Sequence, residues 1–201
     1  RGHELRLWTY ARADTVQPRY LELFRRSGIN WLGIGIEAGN QEVRQQVSKG
    51  KFREIQIREV VKLIDDNGIN VGANYIFGFP DDTYETMQQT LDLACELNAP
   101  FANFYPCQAL PGSPLYYMAL RNGWKLPDSY EGYAFLSYEC QPLPTKYLTA
   151  AEVLKFRDDA WHKYFSRPEY LDLVERKFGV EARRNVEELT KIRLKRMLLG
   201  D

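Results

Sequence analysis

The residues with chemistry to offer sit where short apolar runs stop. Trp31-Leu32-Gly33-Ile34-Gly35-Ile36 is followed at once by Glu37-Ala38-Gly39-Asn40, a carboxylate beside a glycine that lets other backbone come close. Within Val71–Phe77, Asn74 is a polar residue among Val71, Ala73, Ile76 and Phe77, and Gly78-Phe79-Pro80-Asp81-Asp82 then reads as a rigid turn. A third such segment, 101–107, gives way to Gln108-Ala109-Leu110-Pro111-Gly112-Ser113-Pro114. Lys49, twelve residues after Glu37, adds a cation. Glu37 and Asn74 can hydrogen-bond hydroxyls, Lys49 can meet a carboxylate, and Ile76 can offer an apolar surface. Each has a plainer reading when taken alone. Glu37 complements the positive end of a following helix. Lys49 before Gly50 is a helix C-terminal cation. Asn74 hydrogen-bonds only backbone.

Other chemistries find little support. Cys95, Cys107 and Cys140 lie 12 and 33 positions apart, which is neither a disulfide framework nor a metal-finger spacing. Cys107 reads as a small buried thiol. His3 and His162 are isolated, and His162, on a helix beside Trp161, reads as a surface residue. Lys+Arg and Asp+Glu balance at 27 each, whereas a chain that works by gripping phosphates is usually basic. The Lys191-Ile192-Arg193-Leu194-Lys195-Arg196 run reads as one solvated helix face. No nucleic-acid partner is expected. No apolar run approaches the ~20 residues of a membrane helix and no signal-peptide pattern opens the chain, so the cytoplasm is the expected compartment.

The elements that must position these residues alternate. Leu5–Ala11 reads as a strand and Pro18–Arg26 as a helix, with Pro18 in its first turn and Gly28 as its stop. Residues 31–36 form the next strand, followed by helices near 41–48 and 52–67. In the second helix Ile57, Val60, Val61 and Ile64 share one face. Strand 71–77 precedes a helix over 83–97, opened by an Asp82/Glu85 capping box. Strand 101–107 and a helix over 113–121 complete the alternation. Strand–helix order of this kind means parallel strands with right-handed crossovers. From Trp124 to Tyr147 the chain is irregular and aromatic, a cap over the strands with a subsidiary reading as a substrate wall. Helices then start after Thr149 and run near 169–177 and 181–199. The expected domains are 1–123 and 124–201. The chain also opens without Met and runs almost at once into a strand, which reads as a segment of a longer polypeptide.

Gly-Ile-Glu-Ala-Gly at 35–39, Tyr-Ile-Phe-Gly-Phe-Pro at 75–80 and Leu-Pro-Gly-Ser-Pro-Leu at 110–115 stand in order after Trp8-Thr9-Tyr10-Ala11-Arg12-Ala13-Asp14. In this order, over about residues 5–120, they resemble the radical S-adenosylmethionine superfamily. The resemblance is nearest to the subgroup that often carries a cobalamin-binding domain, the anaerobic magnesium-protoporphyrin monomethyl ester cyclases among them. It implies that Glu37 hydrogen-bonds the ribose or methionine part of the cofactor and that Lys49 meets the methionine carboxylate. It places Asn74 near the ribose hydroxyls, Ile76 on adenine, and Phe104 and Tyr105 at the strand whose backbone contacts the adenine edge. Arg12 reaches toward the cofactor carboxylate. The family often has Arg where Lys49 stands, a fork rather than a point charge. It can have Asp where Asn74 stands. The C-x-x-x-C-x-x-C loop that holds the family's [4Fe–4S] cluster is absent from the sequence.

The expected fold is therefore α/β, a partial (β/α) barrel of parallel strands with a helical C-terminal extension. The resemblance implies a fragment that supplies the nucleoside- and methionine-binding half of a radical enzyme and is inactive alone. S-adenosylmethionine, a [4Fe–4S] cluster with ligands outside this chain, and possible cobalamin in the parent are the implied cofactors. The implied partners are the N-terminal half of the polypeptide and a small-molecule or cofactor-like substrate whose identity the fold does not fix. Two other readings stand beside it. One is a non-catalytic ligand-binding or interaction domain on a degenerate barrel. The other is a Schiff-base lyase acting through a desolvated Lys49.

Overall fold

A computed structural model describes residues 4–47 and 57–201. Four strands, β1 (Leu7–Ala11), β2 (Ile29–Glu37), β3 (Asn70–Phe77) and β4 (Phe101–Pro106), form one sheet in the order β1-β2-β3-β4. Every neighbouring pair is parallel. The crossovers are α1 (Pro18–Arg26), then α2 (Gln41–Val47) and α3 (Ile57–Asp66), then α4 (Tyr84–Leu97). After β4 come α5 (Pro114–Asn122), α6 (Ala150–Phe165), α7 (Pro168–Phe178) and α8 (Val180–Thr190). The chain is thus an open α/β sheet with a helical C-terminal region, as expected from the alternation.

Period-two alternation divides the sheet into two unlike faces. Leu32, Ile34 and Ile36 of β2, Val71, Ala73, Tyr75 and Phe77 of β3, and Ala102 and Phe104 of β4 are buried against helices. They share one core with Ile57, Val61 and Ile64 of α3, Met87, Leu91 and Ala94 of α4, and Phe156, Ala160 and Tyr164 of α6. Each fully buried aliphatic or aromatic side chain contributes about 1.5–3 kcal/mol relative to exposure. On the other face, the N-terminal ends of the strands carry aromatics. Trp8 stacks on Trp31 at 4.9 Å and meets the edge of Phe101 at 5.5 Å, and Phe178 of α7 stacks on Trp31 at 5.6 Å. The C-terminal ends of that face are left to smaller and polar residues.

Several local expectations change. The capping box of α4 is made by Thr83 and Thr86, not by Asp82 and Glu85. Asp82 is instead buried in the turn before the helix, where it accepts from the Gly78 and Phe79 amides at 3.0 and 2.9 Å and from the Thr86 hydroxyl at 2.6 Å. β2 begins two residues early and includes Glu37. The helix near 113–121 is α5, with Ser113 as its N-cap. The helix near 52–67 is described from Ile57 onward, and Ser48 also lies outside the described residues.

The largest departure is at the C-terminus. α8 ends at Thr190, and the Lys191–Arg196 run is not a solvated helix face. Arg196 is fully buried and grips both oxygens of Asp158 on α6 at 2.8 Å. It also donates to the Ser137 and Phe135 carbonyls at 2.6 and 3.1 Å. A guanidinium can be buried this way because each of its three nitrogens finds an acceptor in a fixed direction. A Lys/Arg-rich sequence gives no hint of which cation that will be.

Candidate functional site

The site is built on the non-helical face of the sheet, at the C-terminal ends of its strands. That is where parallel α/β sheets place ligands. Arg12, Glu37, Asn74, Ile76 and Tyr105 line one cleft of about 540 Å³, floored by Gly33 and Gly35. Five of the seven residues singled out from the sequence therefore converge. Phe104 does not. Its side chain is 1% exposed on the opposite face, stacked with Tyr75 and Phe77, because it is one residue out of phase with Tyr105. Its carbonyl accepts from Arg157 at 2.7 Å. Lys49 lies outside the described residues.

Glu37 closes β2 in an unusual backbone conformation. Its φ is 67°, in the left-handed region that a non-glycine residue adopts only under local constraint. The Ala38 amide donates back to the Ile36 carbonyl at 2.9 Å, a tight three-residue turn around Glu37. The following loop holds that turn in place. Arg44 of α2 donates to the Ala38 and Gly39 carbonyls, both at 2.9 Å, and the Gly39 amide donates to Thr90 of α4 at 2.9 Å. Gly39 has to be glycine there, because a Cβ would run into the backbone of Gln89 and Thr90. Gly35 serves the side chain in the same way, since a Cβ on it would strike the Glu37 carboxylate.

The Glu37 carboxyl is thereby laid along the cleft floor, and burial raises its pKa above the usual carboxylate range. Among the described residues it has no hydrogen-bond or ion-pair partner, and desolvation is the single cause of its shift. A half-desolvated carboxylate of this kind favours any ligand that brings an ammonium or a hydroxyl to it.

Asn74 stands opposite Asn103 in the register of β3 and β4. Asn103 donates to the Asn74 oxygen at 2.9 Å, while the Asn74 amide donates to the Ile34 and Gly72 carbonyls at 3.2 and 3.4 Å. Asn74 is thus tied to backbone but not to backbone alone, since it also holds a second amide, that of Asn103, beside the cleft. Asn103 went unremarked in the sequence; its alternation with Phe101 and Tyr105 was the available signal. Burial, with Tyr10 adding to it, lifts the Tyr105 phenol, whose ring meets the edge of Phe135 at 4.9 Å. Arg12 forms a fork to Asp14 at 2.9 and 2.7 Å, which raises its pKa, so it meets the cleft as part of an ion pair.

The three cysteines do not converge on this cleft. Burial lifts Cys95, raises Cys107 to about 12 and raises Cys140 to about 11, so all three are held as neutral thiols. Among the described residues no group of three or more His, Cys, Asp or Glu is placed to hold a metal ion. Nor is any described helix long and apolar enough to cross a membrane.

Comparison with known proteins agrees with the order of motifs. The chain is 24% identical over 165 residues to an uncharacterized methyltransferase of Pyrococcus horikoshii, covering 82% of this chain and 35% of that protein. It is 30% identical over 100 residues to the bacteriochlorophyllide d C-12(1)-methyltransferase of Chlorobaculum tepidum, covering 50% and 22% respectively. It is 33% identical over 98 residues to the anaerobic magnesium-protoporphyrin IX monomethyl ester cyclase of Rubrivivax gelatinosus, covering 49% and 18%. The chain thus spans between 18% and 35% of the length of these relatives. Residues 3–94 match the radical SAM superfamily, a stretch that holds the motifs at 35–39 and 75–80 and all of the cleft's lining except Tyr105.

Proposed function

We propose that this chain forms the nucleoside- and methionine-binding part of a radical S-adenosylmethionine site. The observation that carries the reading is the Glu37 carboxyl. It is half-buried, without a partner among the described residues, and set by a left-handed turn into the same cleft as Asn74, Ile76 and Tyr105. The residues fit the cofactor's chemistry. Glu37 takes the amino group or ribose hydroxyls, the Asn74–Asn103 amide pair takes hydroxyls, and Ile76 with Tyr105 offers an apolar slot for adenine. Arg12 turns a guanidinium toward a carboxylate while keeping Asp14. A cleft of about 540 Å³ is within the range of small-molecule sites.

When bound together with a reduced [4Fe–4S] cluster, S-adenosylmethionine supplies a 5′-deoxyadenosyl radical. The cluster itself does not fit here. The three thiols are dispersed and held protonated, whereas ligation needs several thiolates close together. Its ligands belong outside these 201 residues, and on this reading the chain is inactive alone. The work of its own residues is to bind, orient and shield. A ligand ammonium at Glu37 favours the ionised carboxylate, so binding opposes the upward shift that burial gives this group. Two of the relatives are named as methyltransferases, and methyl transfer with cobalamin is the reaction class this reading favours for the complete polypeptide. No residue of the cleft is assigned to cobalamin.

Equilibrium binding of S-adenosylhomocysteine to the complete polypeptide, measured by calorimetry with and without Glu37→Ala, tests the site. A loss of about tenfold or more in the variant is expected for removal of a charge-assisted contact. Equal affinity would remove Glu37 from the site.

A further inference from the structure

The β4 wall of the cleft is held from behind by residues far along the chain. Tyr105 meets Phe135 edge to face at 4.9 Å. Phe135 comes from the irregular aromatic segment and has no secondary structure to fix it. Two arginines do so instead. Arg157 of α6 lies over the Phe135 ring at 5.5 Å while donating to the Phe104 carbonyl of β4 and to Asp158, both at 2.7 Å. Arg196 grips Asp158 with two bonds and donates to the Phe135 and Ser137 carbonyls. Both arginines are almost wholly buried, at 3% and 0% exposure. The tail is closed by the Met197 amide on the Tyr138 carbonyl at 2.9 Å and by the Tyr138 hydroxyl on the Asp201 carbonyl at 3.0 Å.

We infer that Phe135, clamped by Arg157, Asp158 and Arg196, is a positioning residue of the cleft, fixing the Tyr105 ring against which the apolar part of the ligand packs. The inference rests on the reading of the cleft given above. Four segments of sequence meet in this clasp: β4, the aromatic segment, α6 and the last six residues. A buried network of this cost is expected to fix one arrangement of the groups it touches. The ring it touches is Phe135, and the ring Phe135 touches lines the cleft. Tyr105 has two rotatable side-chain torsions, so without an edge partner its ring is free to leave the slot.

Three variants of the complete polypeptide separate a positioning role from a merely structural one. Phe135→Leu keeps apolar volume at a half-buried site but removes the ring edge. Phe135→Tyr restores it. Arg196→Lys keeps the charge but loses the fork. Affinity for S-adenosylhomocysteine is read by calorimetry and folding by the melting temperature. Phe135→Leu is expected to weaken binding about threefold to tenfold, as for loss of an aromatic pair. Its melting temperature should stay within about 4 °C of the parent. Phe135→Tyr should bind like the parent. Arg196→Lys should lower both affinity and melting temperature. Parental affinity in both Phe135→Leu and Arg196→Lys would overturn the inference. So would a loss in Phe135→Leu that Phe135→Tyr fails to restore. An unsubstituted protein that does not bind at all removes the cleft reading and the clasp with it, a result distinct from equal binding throughout.

Discussion

Burial lifts the Glu37 carboxyl, so the folded chain holds a proton there over a pH window in which the unfolded chain has already released it. The native state binds more protons in that window, and stability therefore falls as pH rises through it from the unfolded to the folded pKa. Glu37→Gln removes the burdened charge. It should raise the melting temperature by about 2–4 °C at pH 7 and leave it unchanged near pH 3, where both side chains are neutral. An equal difference at both pH values would show that the gain has another source. The same substitution is expected to weaken ligand binding, the usual opposition between a site's stability and its use. Asn74 carries a different consequence. Asn74→Ala leaves the Asn103 amide without its acceptor and should cost about 1–3 kcal/mol, read by denaturant unfolding.

At the scale of elements, the loop after β2 and the clasp on α6 decide whether the residues stay where they are. Gly39→Ala pushes a methyl group into the backbone of α4 and should destabilise by about 1–3 kcal/mol, with parallel loss of ligand binding because the Glu37 turn moves. Unchanged stability would mean that the loop has room the structure does not show. In the clasp, burial alone would raise Asp158, but hydrogen bonds from Arg196 and Arg157 outweigh it and its pKa is lowered. Its contribution is therefore present above the unfolded carboxylate pKa and lost as pH falls through the folded one. Asp158→Ala leaves two buried guanidinium groups without their shared acceptor and should cost about 3–5 kcal/mol at pH 7. The difference from the parent should shrink on acidification; a difference that is constant with pH would contradict the assigned ion pairs.

Across the whole molecule, the parallel sheet was readable because its strands end in recognisable turns and the helices α3 and α4 between them carry buried stripes of their own. Ile57, Val61 and Ile64 show this within ten residues. The cleft was readable in part, since Glu37, Asn74 and Ile76 fall at strand ends where alternation points them to one face. Phe104 turns its side chain to the opposite face because neighbouring strand residues cannot both face the cleft, which leaves only its backbone for the adenine-edge contact expected of this strand. Arg196 was misread because its burial depends on Asp158, 38 residues away, and no local pattern marks one arginine of a basic run. Asn103 was legible through its alternation with Phe101 and Tyr105, but its pairing with Asn74 depends on the strand register. The same long-range dependence makes the C-terminal residues part of the fold: helices after residue 150 bury Phe156, Ala160 and Tyr164 against the sheet that carries the cleft.

The central claim is that the Glu37 cleft holds the cofactor of a radical S-adenosylmethionine reaction. Its most direct test is the yield of 5′-deoxyadenosine from the complete polypeptide, reconstituted without oxygen with iron and sulfide, reduced, and given S-adenosylmethionine. The account predicts formation in the parent protein and a fall of about 100-fold in Glu37→Ala, as expected when a reactant loses its positioning contact. Formation that the substitution leaves untouched, or a parent that binds a cluster and yields none, would contradict it.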